Sequence, residues 1–205
     1  MPAGVAASLV AYRAGRRGLY AAGKAVASGA FVAVALSGGV PEATWARAML
    51  AALAISAVGD VILAGRGKVT FALGLLAFTI AHASFAAAFT LRADALPMSL
   101  GAAGLGALAA VPAWRALHSR WSVPRALRGP VAGYLGLVLV MTGLALVVAA
   151  TGGPWPLAVG AVLVGGSDLA VARERFGRAS FANKLLGLPA YYAGQTLLAL
   201  QLLAS

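Results

Sequence analysis

Seven apolar stretches, each close to the length that crosses a bilayer, follow one another along this sequence with only short links between them. A membrane span needs about 20 mostly apolar residues. By that measure the sequence predicts helices over Tyr20–Ser37, Trp45–Leu63, Val69–Leu91, Pro97–Trp114, Gly129–Ala150, Pro154–Val171 and Lys184–Leu203. Pro97 and Pro154 suit a first helical turn, and Gly38-Gly39-Val40-Pro41 and Thr151-Gly152-Gly153-Pro154 read as tight breaks. An eighth, shorter stretch, Ala3–Tyr12, is either an abbreviated span or a helix lying in the interface. The links hold no second domain, so residues 1–205 are expected to form a single transmembrane domain. The fold class is all-α, a polytopic transmembrane bundle of seven or eight helices.

Composition leaves little alternative. Charged residues make up 10% of the chain, mean hydropathy is +0.90 and 61% of residues are hydrophobic, whereas a soluble domain carries roughly 25% charged residues to face water. Abundant alanine and glycine suit membrane helices, which approach closely where lipid removes the hydrophobic drive to associate. No signal peptide with a small-residue cleavage site is read at the N-terminus, so the first internal helices are expected to direct insertion.

The net charge of +11 is explained by topology, and no nucleic-acid partner is expected, because no basic stripe interleaved with stacking aromatics is present. Arg13, Arg16 and Arg17 precede the Tyr20 helix; Arg66 and Lys68 lie in the second link after it. Arg115, Arg120, Arg125 and Arg128 fill the fourth, and Arg173, Arg175 and Arg178 the sixth. Lys24 and Lys184 flank helix starts on that same side, and only Arg47 and Arg92 fall on the other. Alternate links therefore carry nearly all the positive charge, which places them in the cytoplasm and the C-terminus outside. A bacterial-type inner membrane is the expected location.

The chain has no cysteine, two histidines and five acids. Thiolate chemistry is excluded, and neither a metal site nor a cofactor is expected. Glu42, Asp94 and Glu174 are read as solvated loop charges. Asp60 and Asp168 sit inside apolar helices, where an ionisable group costs at least roughly 2.5–3.5 kcal/mol and usually marks function. Both fall in the third of the membrane nearest the basic links, so the two carboxylates can form a pair. The plainer reading is that each pairs with the arginine that follows it, Arg66 or Arg173. Other polar groups cluster at similar depth. Lys24 and Ser28 share a helix face, Ser167 adjoins Asp168, and Tyr191, Tyr192 and Gln195 are placed on the first turns of the last helix. His82 lies deeper. Gly59-Asp60, followed by a helix with His82, is echoed by Ser167-Asp168, followed by a helix with Tyr192, which suggests two parallel four-helix repeats.

In their order and spacing, Gly59-Asp60-Val61-Ile62-Leu63, then Phe71, Gly74, Phe78 and His82, then Ser167-Asp168, then Tyr191-Tyr192 and Gln195 resemble the YhhN-like lysoplasmalogenases. The resemblance runs from about Lys24 to the C-terminus. It implies a membrane hydrolase that cleaves the vinyl ether bond of lysoplasmalogen to a fatty aldehyde and a glycerophospho-base. Asp60 and Asp168 are the aspartates it carries over, and Lys24, His82, Tyr192 and Gln195 match polar positions of the family's central pocket. Three departures bear on substrate choice more than on fold: Ala25 follows the lysine where proline is usual, Phe85 follows the histidine where tyrosine is frequent, and the first span is short.

The chemistry fits those residues on its own terms. Vinyl ether cleavage needs a protonated acid near neutral pH and gains from a second carboxylate beside the cation that forms. Neighbours Val58, Val61 and Ile62 favour Asp60 as the acid. The expected substrate-binding set is Lys24, Ser28, His82, Ser167, Tyr191, Tyr192 and Gln195, around a lipid drawn from the bilayer. A proton-coupled transporter using the intramembrane aspartates is the first rival, and a non-catalytic lipid-binding or scaffold protein the second.

Overall fold

The computed structural model describes residues 1–39, 41–65, 67–93 and 96–203; Arg66 and Asp94 lie outside the described residues. Eight helices make up the fold: α1 (Pro2–Arg13), α2 (Arg17–Leu36), α3 (Thr44–Ala64), α4 (Lys68–Arg92), α5 (Leu96–Arg120), α6 (Arg125–Ala150), α7 (Trp155–Phe176) and α8 (Phe181–Leu200), with no strand among the described residues. Six of them, α2 to α7, are long and apolar enough to cross a membrane. α8 is less apolar because it carries Asn183, Lys184 and Gln195. The molecule is an integral membrane protein. Leu100, Leu105 and Leu108 on α5 are 65–71% exposed, a surface that suits lipid and no aqueous phase.

α1 is a real helix but a short one. Its 12 residues rise about 18 Å, less than the roughly 30 Å of a hydrocarbon core. It folds back along α2, burying Gly4, Val5, Ser8 and Ala11, and Ser8 Oγ donates to the Tyr20 carbonyl at 3.3 Å.

Most spans run further than the sequence suggested at the basic end. Arg115 and Arg120 belong to the last turns of α5, Arg125 and Arg128 to the start of α6, and Arg173, Glu174 and Arg175 to the end of α7. Alanine, leucine and arginine are good helix formers and hold the helix beyond its apolar stretch, while long basic side chains reach back to water. Glu174 is accordingly no solvated loop charge. α8 begins at Phe181, so Tyr191, Tyr192 and Gln195 lie at mid-helix rather than on its first turns.

Consecutive helices pair as hairpins: α1 with α2, α3 with α4, α5 with α6, α7 with α8. α2, α3, α4, α6, α7 and α8 then close a ring, each touching the next and α8 returning to α2, with α1 and α5 packed outside it against α2 and α6. Moving every helix four places along the chain maps this ring onto itself, since α2–α3 becomes α6–α7 and α4–α6 becomes α8–α2. The helices of the two halves run in the same directions, so the halves are parallel repeats. The α7–α8 crossing is tight, since a Cβ on Gly194 would lie 2.7 Å from the Gly160 carbonyl oxygen.

Candidate active site

The ring encloses a cavity of about 180 Å³ that extends toward the basic end. Its walls are largely apolar, from Leu63, Phe71, Leu75, Phe78, Val131, Val171 and Leu188, and both Asp60 and Asp168 line it. Lys24, Ser167, Tyr191 and Tyr192 line it too, whereas Ser28, His82 and Gln195 stand one layer behind.

Asp60, on the last turns of α3, is buried among polar partners. Lys24 Nζ on α2 lies 2.9 Å from its Oδ1, and Ser28 Oγ, one turn further along α2, donates to its Oδ2 at 2.6 Å. The Tyr192 hydroxyl on α8 stands 3.2 Å from Ser28 Oγ and also 3.2 Å from the Lys24 carbonyl, to which it donates. This carboxylate is therefore charge-balanced by an ammonium, and its other oxygen accepts a hydroxyl proton. Gly59 permits the arrangement, because a Cβ there would press on the Phe78 ring at 2.9 Å. Val58 and Val61, taken from the sequence as the wall of Asp60, are 57% and 52% exposed. Adjacent residues on a helix point some 100° apart, so these valines face outward while Asp60 faces in.

Asp168, on α7, keeps different company. Its Oδ2 lies 3.2 Å from His82 Nε2 on α4, close but out of line for a hydrogen bond. His82 is fully buried, and its Nδ1 is 2.7 Å from the Phe78 carbonyl. A carbonyl only accepts, so Nδ1 carries a proton and Nε2 is the nitrogen turned to Asp168. The Tyr134 ring on α6 packs edge-on against the imidazole at 5.2 Å, with its hydroxyl beside the same carboxylate. Ser167 lines the cavity, but its hydroxyl donates to the Val164 carbonyl at 2.7 Å. Neither aspartate makes an ion pair with an arginine among the described residues.

The two clusters obey the repeat. Asp60 on α3 is met from α2 by Lys24 and Ser28 and from α8 by Tyr192. Asp168 on α7 is met from α6 by Tyr134 and from α4 by His82. Tyr134 was missed in the sequence because one tyrosine in an apolar helix is unremarkable; following the echo through α6 would have found it. Glu174, at the mouth, accepts from Tyr12 Oη at 2.8 Å, Asn183 Nδ2 at 2.8 Å and the Ser180 amide at 2.9 Å, and so ties α1, α7 and α8 together. No group of three or more His, Asp or Glu side chains suited to a metal ion occurs among the described residues.

Fold and site together define a polytopic membrane protein with two intramembrane carboxylates in one cavity, each with its own polar partner set. The chain belongs to the YhhN family, the lysoplasmalogenase family, whose model matches residues 19–202, from the first turn of α2 past the end of α8. Membership supports a membrane hydrolase of the lysoplasmalogenase type. No match is found among curated proteins or among solved structures.

Proposed function

We propose that this protein hydrolyses the vinyl ether bond of lysoplasmalogen, or of a related single-chain ether lipid, with Asp168 as proton donor and Asp60 as the carboxylate that steadies the cation. One observation carries the reading: two carboxylates line the same apolar cavity, one balanced by a lysine and the other set against a histidine. Divided environments of this kind give paired carboxyl groups opposite roles.

The Nδ1–H of His82 is committed to the Phe78 carbonyl, so its Nε2 is the nitrogen that can exchange a proton with Asp168. Asp168 delivers it to the β-carbon of the vinyl ether. The π electrons form the new C–H bond, and the ether oxygen shares its lone pair to give an oxocarbenium ion. Asp60, negative beside Lys24, stabilises that cation as the second carboxylate of a glycosidase does. Water adds to the carbon bearing the ether oxygen, and the proton it sheds makes good the one Asp168 gave. The hemiacetal then collapses to an aldehyde and a free hydroxyl. The cavity is smaller than the roughly 300–1,000 Å³ that encloses a drug-sized ligand. It therefore takes the vinyl ether segment of the lipid rather than the whole molecule, with the head group toward the basic mouth. That mouth is assigned to the cytoplasmic side of an inner membrane by the positive-inside rule.

Purified protein in detergent tests the reading. Aldehyde release from lysoplasmalogen is expected without any gradient, and Asp60→Asn and Asp168→Asn are each expected to reduce it by about 100-fold or more while remaining folded. Full turnover by either variant rejects its assigned role, and activity confined to sealed vesicles would favour a transporter.

A further inference from the structure

Just beyond Asp60, on the side away from the mouth, four buried polar atoms lack a hydrogen-bond partner among the described residues: Ser56 Oγ on α3, and Tyr191 Oη, Gln195 Oε1 and Gln195 Nε2 on α8. Ser56 and Gln195 are fully buried and Tyr191 is 7% exposed. Several hydroxyls elsewhere in the bundle are absorbed by their own helices. Thr79, Thr90, Thr142, Thr196 and Ser84 each donate to the carbonyl one turn back. Ser56 and Gln195 do not.

Their placement is concerted. α3 and α8 touch and run in opposite directions, and they bring Asp60 level with the Tyr191-Tyr192 pair. Ser56 is one turn before Asp60 on α3, and Gln195 one turn after Tyr191 on α8. Both steps lead away from the basic end, and residues four apart share a helix face. Tyr191 is within reach of both Gln195 and Asp60, yet neither contact has hydrogen-bond geometry. Buried polar groups are rarely left unmatched, and a buried water that makes two to four hydrogen bonds is the usual remedy. An amide offering both donor and acceptor, with two hydroxyls that can do either, suits that ligand.

We infer that Gln195, Tyr191 and Ser56 hold one water molecule against the Asp60 carboxylate, and that this water captures the oxocarbenium ion. The second part rests on the vinyl ether reading. The water oxygen forms the new C–O bond, Asp60 is the first acceptor of the proton it sheds, and that proton returns across the cavity to the Asp168–His82 pair. Gln195 is then a positioning residue: it acts through the water and touches no reacting carbon.

The experiment measures product partition in the full-length protein, with methanol added as a competing nucleophile. Capture by methanol gives a mixed methyl acetal instead of the aldehyde. Wild-type protein is expected to release almost only aldehyde. Gln195→Leu is expected to raise the acetal-to-aldehyde ratio about five-fold, the equivalent of one lost hydrogen bond, with Ser56→Ala moving it the same way by less. A merely structural role would lower the rate and leave the ratio alone. A high-resolution structure supplies an arm independent of activity, with water density expected against the Gln195 amide and Tyr191 Oη and lost in Gln195→Leu. Absence of that density overturns the site, and density with an unchanged ratio overturns the water's role as nucleophile. If the wild-type protein releases no aldehyde, the vinyl ether reading fails and the density alone decides the site.

Discussion

Lys24 and Asp60 face each other buried inside the bundle, and the energetics of such a pair are asymmetric. Removing one member strands the other, at a cost of about 3–5 kcal/mol, whereas replacing both by apolar residues is often neutral. Lys24→Met is therefore expected to melt well below wild type in detergent, and Lys24→Met/Asp60→Leu to regain most of that loss while staying inactive. Equal melting of the single and double variants would mean the two charges are not a closed pair. Tyr134→Phe tests the other cluster: loss of about 1 kcal/mol at the Asp168 carboxylate corresponds to about a five-fold fall in kcat with KM unchanged. A rise in KM alone would place that hydroxyl on the lipid instead. At this scale the sequence was half legible. Asp60 and Asp168 stand out because charge is costly in an apolar helix, but their partners come from helices far along the chain, and no local pattern names them. The reading of Val58 and Val61 as a wall failed because nearness in sequence is not nearness on a helix.

The helices themselves were legible, since apolar length is a one-dimensional signal; their ends were not. Arginine-rich flanks look like loops when polarity is the guide, although those residues favour the helix as strongly as leucine does. Close approaches were also hidden. At the α7–α8 crossing, Gly194→Ala places a methyl group 2.7 Å from the Gly160 carbonyl and 3.0 Å from the Val164 amide nitrogen. Overpacking of this kind costs about 1–3 kcal/mol, so a clearly lowered melting temperature is expected. Gly104→Ala on α5, where a Cβ meets none of the described residues within 4 Å, is expected to leave stability unchanged or raise it. Equal effects at the two positions would mean that α7 and α8 do not cross at this distance.

For the molecule as a whole, orientation can be read out without background, because the chain contains no cysteine. Ser37 and Ser119 are exposed at opposite ends of the bundle. In intact cells, Ser37→Cys is expected to react with a membrane-impermeant maleimide, and Ser119→Cys only after lysis; the reverse pattern would invert the proposed topology. The repeat was glimpsed in the sequence as an echo around the two aspartates, and its weakness there has a physical reason. The halves share helix order and the contacts around the ring, yet at matching stations one uses lysine and serine where the other uses tyrosine, and tyrosine where the other uses histidine. Each aspartate also draws one of its escorts from the opposite half, α8 reaching over to Asp60 and α4 to Asp168. Neither four-helix segment can thus assemble a finished reaction centre by itself. Severed between α4 and α5 and produced as separate polypeptides, the two pieces would be inert apart, and turnover would return only where they meet again in the same bilayer.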